Sequence, residues 1–105
     1  MTPAYWEAPA NPTAIRTAVA MLRTYAGFAP FVGGGIVRTI GDARTYVRMQ
    51  ANGHARVVMV APGFRIRTVV RCGGYLYADD IERAIRNVTD DQLPHLRAQC
   101  VEVAS

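Results

Sequence analysis

Between Ala43 and Cys72 the side chains alternate in character with a period of two, the spacing of strands whose successive residues point to opposite sides of a sheet. Three runs predict strands: Arg44 to Ala51, Ala55 to Ala61 and Phe64 to Cys72. They are rich in Val, Ile, Tyr, Thr and Phe, which suit a pleated, half-buried surface. Asn52-Gly53 separates the first two, and both residues tolerate positive φ. Pro62-Gly63 separates the second and third; proline presets φ at the first central turn position and glycine accepts positive φ at the next. A two-residue turn there sets Arg65 opposite Val60 and Arg67 opposite Val58, so that Arg56, Arg65, Arg67 and Arg71 share a face. In the first run Arg44, Tyr46, Arg48 and Gln50 alternate with Thr45, Val47 and Met49. A strict two-residue loop at Asn52-Gly53 mixes Arg48 with the apolar set of the next strand. A loop one residue longer, with a bulge, puts all six arginines on one face, and that register is expected because a one-residue slip moves a whole side-chain set across the sheet. The middle run is apolar on both faces, as a central strand is.

Outside this region the apolar period is helical. Ile15, Ala18, Val19, Leu22, Tyr25 and Ala26 form one stripe, with Asn11 as N-cap, Pro12 in the first turn and Gly27 to end the helix. The uncharged stretch from Tyr25 to Val37 is too short and too interrupted by Pro30 to span a membrane, and reads as a buried connection plugged by Phe28 and Phe31. Ile36 to Ile40 predicts a short extra strand, turning at Gly41-Asp42. After Gly73-Gly74, Ile81, Ala84, Ile85 and Val88 form a second stripe, with Asp79 as N-cap and Glu82 completing a capping pair. Thr89-x-x-Gln92 is a capping box for a third helix in which Leu93, Leu96 and Cys100 face inward. The expected fold is therefore α+β: an N-terminal helix, an antiparallel three- to four-stranded β-meander and two C-terminal helices. One domain over residues 12–105 follows an arm over residues 1–11.

At 105 residues, half of them hydrophobic, the chain can bury one core without metal or disulfide staples. All twelve basic side chains are arginine, which together with the alanine and valine content fits coding by a high-GC genome, actinobacterial or phage. The net charge of +4 is unevenly spread. Residues 43–78 hold six arginines and no acid, whereas residues 79–105 hold six acids and three arginines. A basic sheet joined to an acidic helical tail is either self-complementary or leaves a positive surface for a polyanion. No basic region followed by an apolar one heads the chain, so no secretory leader is expected and the location reads as cytoplasmic, or the virion for a phage structural protein.

Candidate chemistry is sparse. Cys72 and Cys100 form no C-x-x-C pair and are expected to be buried free thiols. With His54 and His95 they make no pair at zinc-finger spacing. The sole serine is the last residue. Gly33-Gly34-Gly35 is followed by no Lys-Ser/Thr and is no P-loop. Tyr77-Ala78-Asp79-Asp80 resembles the Tyr-x-Asp-Asp motif of reverse transcriptases, whose carboxylates hold metal ions. The resemblance covers four residues, Asp42 is the only upstream aspartate, and helix capping accounts for the acids without metal. No catalytic, metal or cofactor residue is assigned, and the protein is expected not to be an enzyme. Two tight helices at the C-terminus would suit a helix-turn-helix, but Asp90 and Asp91 at the head of its reading helix would repel phosphates.

Two binding functions remain. The first is protein contact, as a partner-binding or self-associating module, phage-encoded structural or host-interacting, with Tyr5 and Trp6 of the arm as interface anchors. Helix, meander, helix is similar to the order in small ring-forming parts of phage tails and necks, a likeness of topology alone. The second is nucleic-acid binding by Arg44, Arg48, Arg56, Arg65, Arg67 and Arg71, with Tyr46 as a stacking platform. The order also resembles that of double-stranded-RNA-binding domains, except that the final helix here begins with acids where those begin basic. No membrane partner is expected.

Overall fold

The computed structural model describes residues 11–104, with side chains to residue 100. Asn11 opens α1 (Pro12–Tyr25), its Oδ1 accepting from the N–H groups of Thr13 (2.9 Å) and Ala14 (3.4 Å). The chain leaves the helix through Gly27 at φ 77°, a left-handed position that favours glycine. Ala14, Ala18 and Leu22 are buried. Tyr25, expected on the same stripe, is 78% exposed. Phe28, whose N–H reaches back to the Leu22 carbonyl (3.2 Å), is buried in the core instead.

The sheet has five strands, not three to four: β1 (Ala29–Phe31), β2 (Gly35–Ile40), β3 (Ala43–Met49), β4 (Ala55–Ala61) and β5 (Phe64–Val70). They form an antiparallel meander in chain order. The strand missing from the sequence reading is β1. Its three residues are too few to show alternation, and its Pro30 is tolerated because the strand lies at an edge. Gly33 and Gly34, at φ 92° and 89°, fold it back onto β2. Phe31, expected as a buried plug, is exposed.

The β3–β4 connection carries the register. Met49 pairs with Ala55, so residues 50–54 form a loop longer than a two-residue hairpin. The extra length stays in the loop, and the ladder from Arg44 to Met49 runs without a bulge. Asn52 Oδ1 accepts from the His54 N–H (3.0 Å), and Gln50 N–H donates to the His54 carbonyl (2.8 Å). The Pro62-Gly63 turn is the expected two-residue one, with Ala61 paired to Phe64.

α1 and α2 (Ala78–Asn87) pack side by side against one sheet face. Ile36, Val47, Ala55, Val57, Met59 and Val70 from the strands meet Leu22, Ile81 and Ile85 from the helices. The N-cap of α2 is Tyr77, not Asp79. Ala78 is already helical, so Asp79 and Asp80 lie within the first turn, where they favour the helix dipole without capping. Glu82 is buried and reaches forward to Arg86 (3.1 Å). A π-helical turn, Val88–Gln92, then runs directly into α3 (Leu93–Ala104). Thr89 opens no new helix: its hydroxyl donates backward to the Arg86 carbonyl (3.3 Å). The helical run is unbroken, which rules out a helix-turn-helix bend. The extra residue of a π turn also shifts the phase of the helix beyond it. Leu93 is buried, but Leu96 is 38% exposed and Cys100 faces out.

Candidate functional site

With both helices on one face, no described element covers the other face of the sheet, the open face. The ladders build it row by row. Val37, Tyr46, Val58 and Arg67 lie across its middle. Thr39, Arg44, Val60 and Arg65 form the row toward one end, and Gly35, Arg48, Arg56 and Val69 the row toward the other, with Phe31 paired to Gly35. Arg44, Tyr46, Arg48, Arg56, Arg65 and Arg67 are thus brought together on one surface. Arg71, placed in a strand by the sequence reading, lies just past the end of β5 and is exposed.

Among the described residues none of these six arginines makes an ion pair or a side-chain hydrogen bond. Four of the acids are engaged elsewhere: Asp90 with Arg38 (2.6 Å), Asp42 with Arg97 (2.7 Å), Glu82 with Arg86 and Asp80 with Arg83. No Asp or Glu occupies a ladder position on the open face. Arg48 and Arg56 sit directly opposite each other, a like-charge pair that weakens the sheet. At the centre Tyr46 meets Phe31 edge-on, with ring centroids 5.1 Å apart. A shallow groove of about 260 Å³ runs between Phe31, Tyr46, Arg48, Arg56, Val58 and Arg65. Gly33 of the β1–β2 turn lets Arg48 approach closely: a Cβ there would lie 2.7 Å from Arg48 Nη2.

One arginine escaped the sequence reading. Arg38 shares the parity of Ile36 and Ile40 and therefore points to the covered side. Its Nη1 donates to the Ala26 carbonyl (3.2 Å), its Nη2 to Asp90 Oδ1, and its guanidinium lies 4.7 Å from the centre of the Phe28 ring. The apolar, charged, apolar order of β2 was the signal. Beside it a cleft of about 820 Å³ opens between α3 and the sheet, lined by Ile40, Ala43, Met59, Pro94 and Ala98. Its lining also includes Arg97, both of whose Nη atoms donate to the Asp42 carboxylate at 2.7 Å. Those bonds hold the Asp42 carboxyl below its usual range and push the Arg97 guanidinium up.

The remaining reactive groups are apart from the face. Cys72 is buried, its thiol donating to the Gly53 carbonyl (3.1 Å), and burial pushes its pKa up. His54 Nδ1 accepts from the Gly73 N–H (3.0 Å). Cys100 is exposed, contrary to the expectation of two buried thiols, because it follows the phase shift. Among the described residues no three His, Cys, Asp or Glu side chains gather to hold a metal ion, and no helix is long and apolar enough to cross a membrane. Tyr5 and Trp6 lie outside the described residues. No protein-family model matches the chain, and no curated protein or solved structure matches it.

Proposed function

We propose that this is a non-enzymatic binding domain whose working surface is the open face of the sheet, and that its partner is an acidic protein. The observation that carries this reading is an apolar centre, Tyr46, Val58 and Val60, set among arginines that have no counter-ion among the described residues. An apolar middle with a charged surround is the arrangement of protein interfaces, where the centre excludes water and arginine anchors the rim. Two copies joined through this face would bring like charges together, so the face favours a different, anionic partner. Nucleic acid is the second reading, favoured by the absence of any acid on the face. Against it, Tyr46 is half-buried and engaged edge-on by Phe31, and valines offer no stacking plane to bases.

The two readings separate in one experiment. The protein is titrated with polyglutamate, with a glutamate–tyrosine copolymer and with a labelled oligonucleotide, single-stranded and duplex, at low and near-physiological salt. Light scattering after size exclusion reports the complexes. The acidic-protein reading expects the copolymer to bind more tightly than polyglutamate and to persist as salt rises. Oligonucleotide binding that exceeds both polypeptides and falls steeply with salt supports the nucleic-acid reading and defeats the first.

A further inference from the structure

The two edges of this sheet are unlike. β1 is three residues long with Pro30 at its centre, a blunted edge. β5 runs seven residues without proline, glycine or bulge, and among the described residues nothing pairs with its outer side. An antiparallel edge strand of this kind turns alternate N–H and C=O groups outward as a template for another strand. Its side chains describe what that strand would carry. On the open face it presents Arg65 and Arg67, exposed and without counter-ions among the described residues. On the helix side Phe64, Ile66 and Thr68 are only half-buried, whereas Ala55, Val57, Met59 and Ala61 of neighbouring β4 are buried. α3 comes close to β5 on this side, yet Phe64, Ile66 and Thr68 keep part of their surface exposed along the margin. A second copy of β5 would bring arginines beside arginines; an acidic strand would be attracted.

Building on the acidic-partner reading, we propose that the outer edge of β5 receives an extended segment of that partner as a sixth strand. The segment alternates acidic residues beside Arg65 and Arg67 with apolar residues beside Phe64 and Ile66. Backbone hydrogen bonds hold the strand, and the alternate side chains select it.

The test uses the full chain and a capped ten-residue peptide of alternating glutamate and valine. Its control is the same peptide N-methylated at every second residue on the pairing side, which removes the donors and keeps the charge. The unmodified peptide is expected to bind and to slow amide exchange at alternate residues of Phe64–Val70. N-methylation should weaken binding roughly tenfold or more. Arg67→Glu, at an exposed position, should weaken it roughly fivefold. Equal binding of both peptides without protection in β5 overturns strand addition and leaves the face as the binding surface. So does binding of the glutamate–tyrosine copolymer with no response to either peptide. If neither peptide nor the copolymer binds, strand addition and the acidic-partner reading fall together.

Discussion

Val57 and Val58 are neighbours in β4 and live in different surroundings. Val57 is fully buried against the helices, while Val58 sits half-exposed between Tyr46 and Arg67. The same division runs through the whole sheet. The covered face carries one arginine, Arg38, and surrounds it with a carbonyl, a carboxylate and an aromatic ring. The open face carries five in its strands, and among the described residues they have no side-chain hydrogen bond or ion pair. A guanidinium withdrawn from water gains most from acceptors, because unpaired charge is costly in a core; Arg38 finds them for both Nη atoms, while its Nε has none among the described residues. One left in water needs none, and remains available to an incoming anion. The charge on the covered face is structural; the charge on the open face is unspent, and that difference makes the open face the place to look for function.

The contrast can be broken most forcefully with one pair of substitutions. Val57→Asp buries an uncompensated carboxylate and should cost on the order of 4 kcal/mol or more, removing the cooperative unfolding transition. Val58→Asp, one residue on, should keep that transition within about 1 kcal/mol of the parent in urea. Next in size is the arginine contrast. Arg38→Ala strands Asp90 and the Ala26 carbonyl and should lower stability by about 1–3 kcal/mol, whereas Arg65→Ala should change it by less than about 0.5 kcal/mol. A smaller effect of opposite sign is expected at the like-charge pair: Arg56→Glu faces Arg48 with an opposite charge and should stabilise the domain by about 0.2–1 kcal/mol while weakening the binding of acidic polypeptides. A variant that loses stability or gains affinity there would contradict the account of the face.

The smallest effect concerns pH. Arg97 lowers the native pKa of Asp42, so the pair favours the fold above the unfolded carboxylate range, near ~3.9, and that contribution is lost as pH falls through the lowered native value. Asp42 is exposed, so the direct reading is a carboxyl titration by NMR. Asp42 should titrate below the ordinary range in the parent and return to it in Arg97→Gln.

Much of the sheet was legible because alternation over seven residues leaves few registers that segregate charge from apolar surface. The Asn52-Gly53 loop shows the limit of local rules: the dipeptide alone favours a two-residue hairpin, and only the arginine pattern of β3 against β4 points to the longer loop. β1 was hidden because a strand of three residues has no period to detect, and the glycines behind it resemble a loop. Arg38 becomes legible only when the parity of β2 is carried through from Ile36 to Ile40. The inward stripe of α2, Ile81, Ala84, Ile85 and Val88, was legible, but its cap and the phase of α3 were not, because the structure spends the capping signals otherwise: Asp79 lies inside the first turn and Thr89 bonds back to Arg86. The candidate face was legible as a set of residues. Its lack of counter-ions was not, since that depends on the acids of the C-terminal run lying across the core from it.

The π turn at Val88–Gln92 fixes the angular position of everything beyond it. An α-helix advances by about 100° per residue, so deleting one residue here would regularise the helix and rotate α3 by that amount. Arg97 would swing away from Asp42, and a different side of α3 would come to wall the 820 Å³ cleft. A single-residue change in length at this point is thus a steering adjustment, able to re-aim the last helix while the sheet and its open face stay as they are.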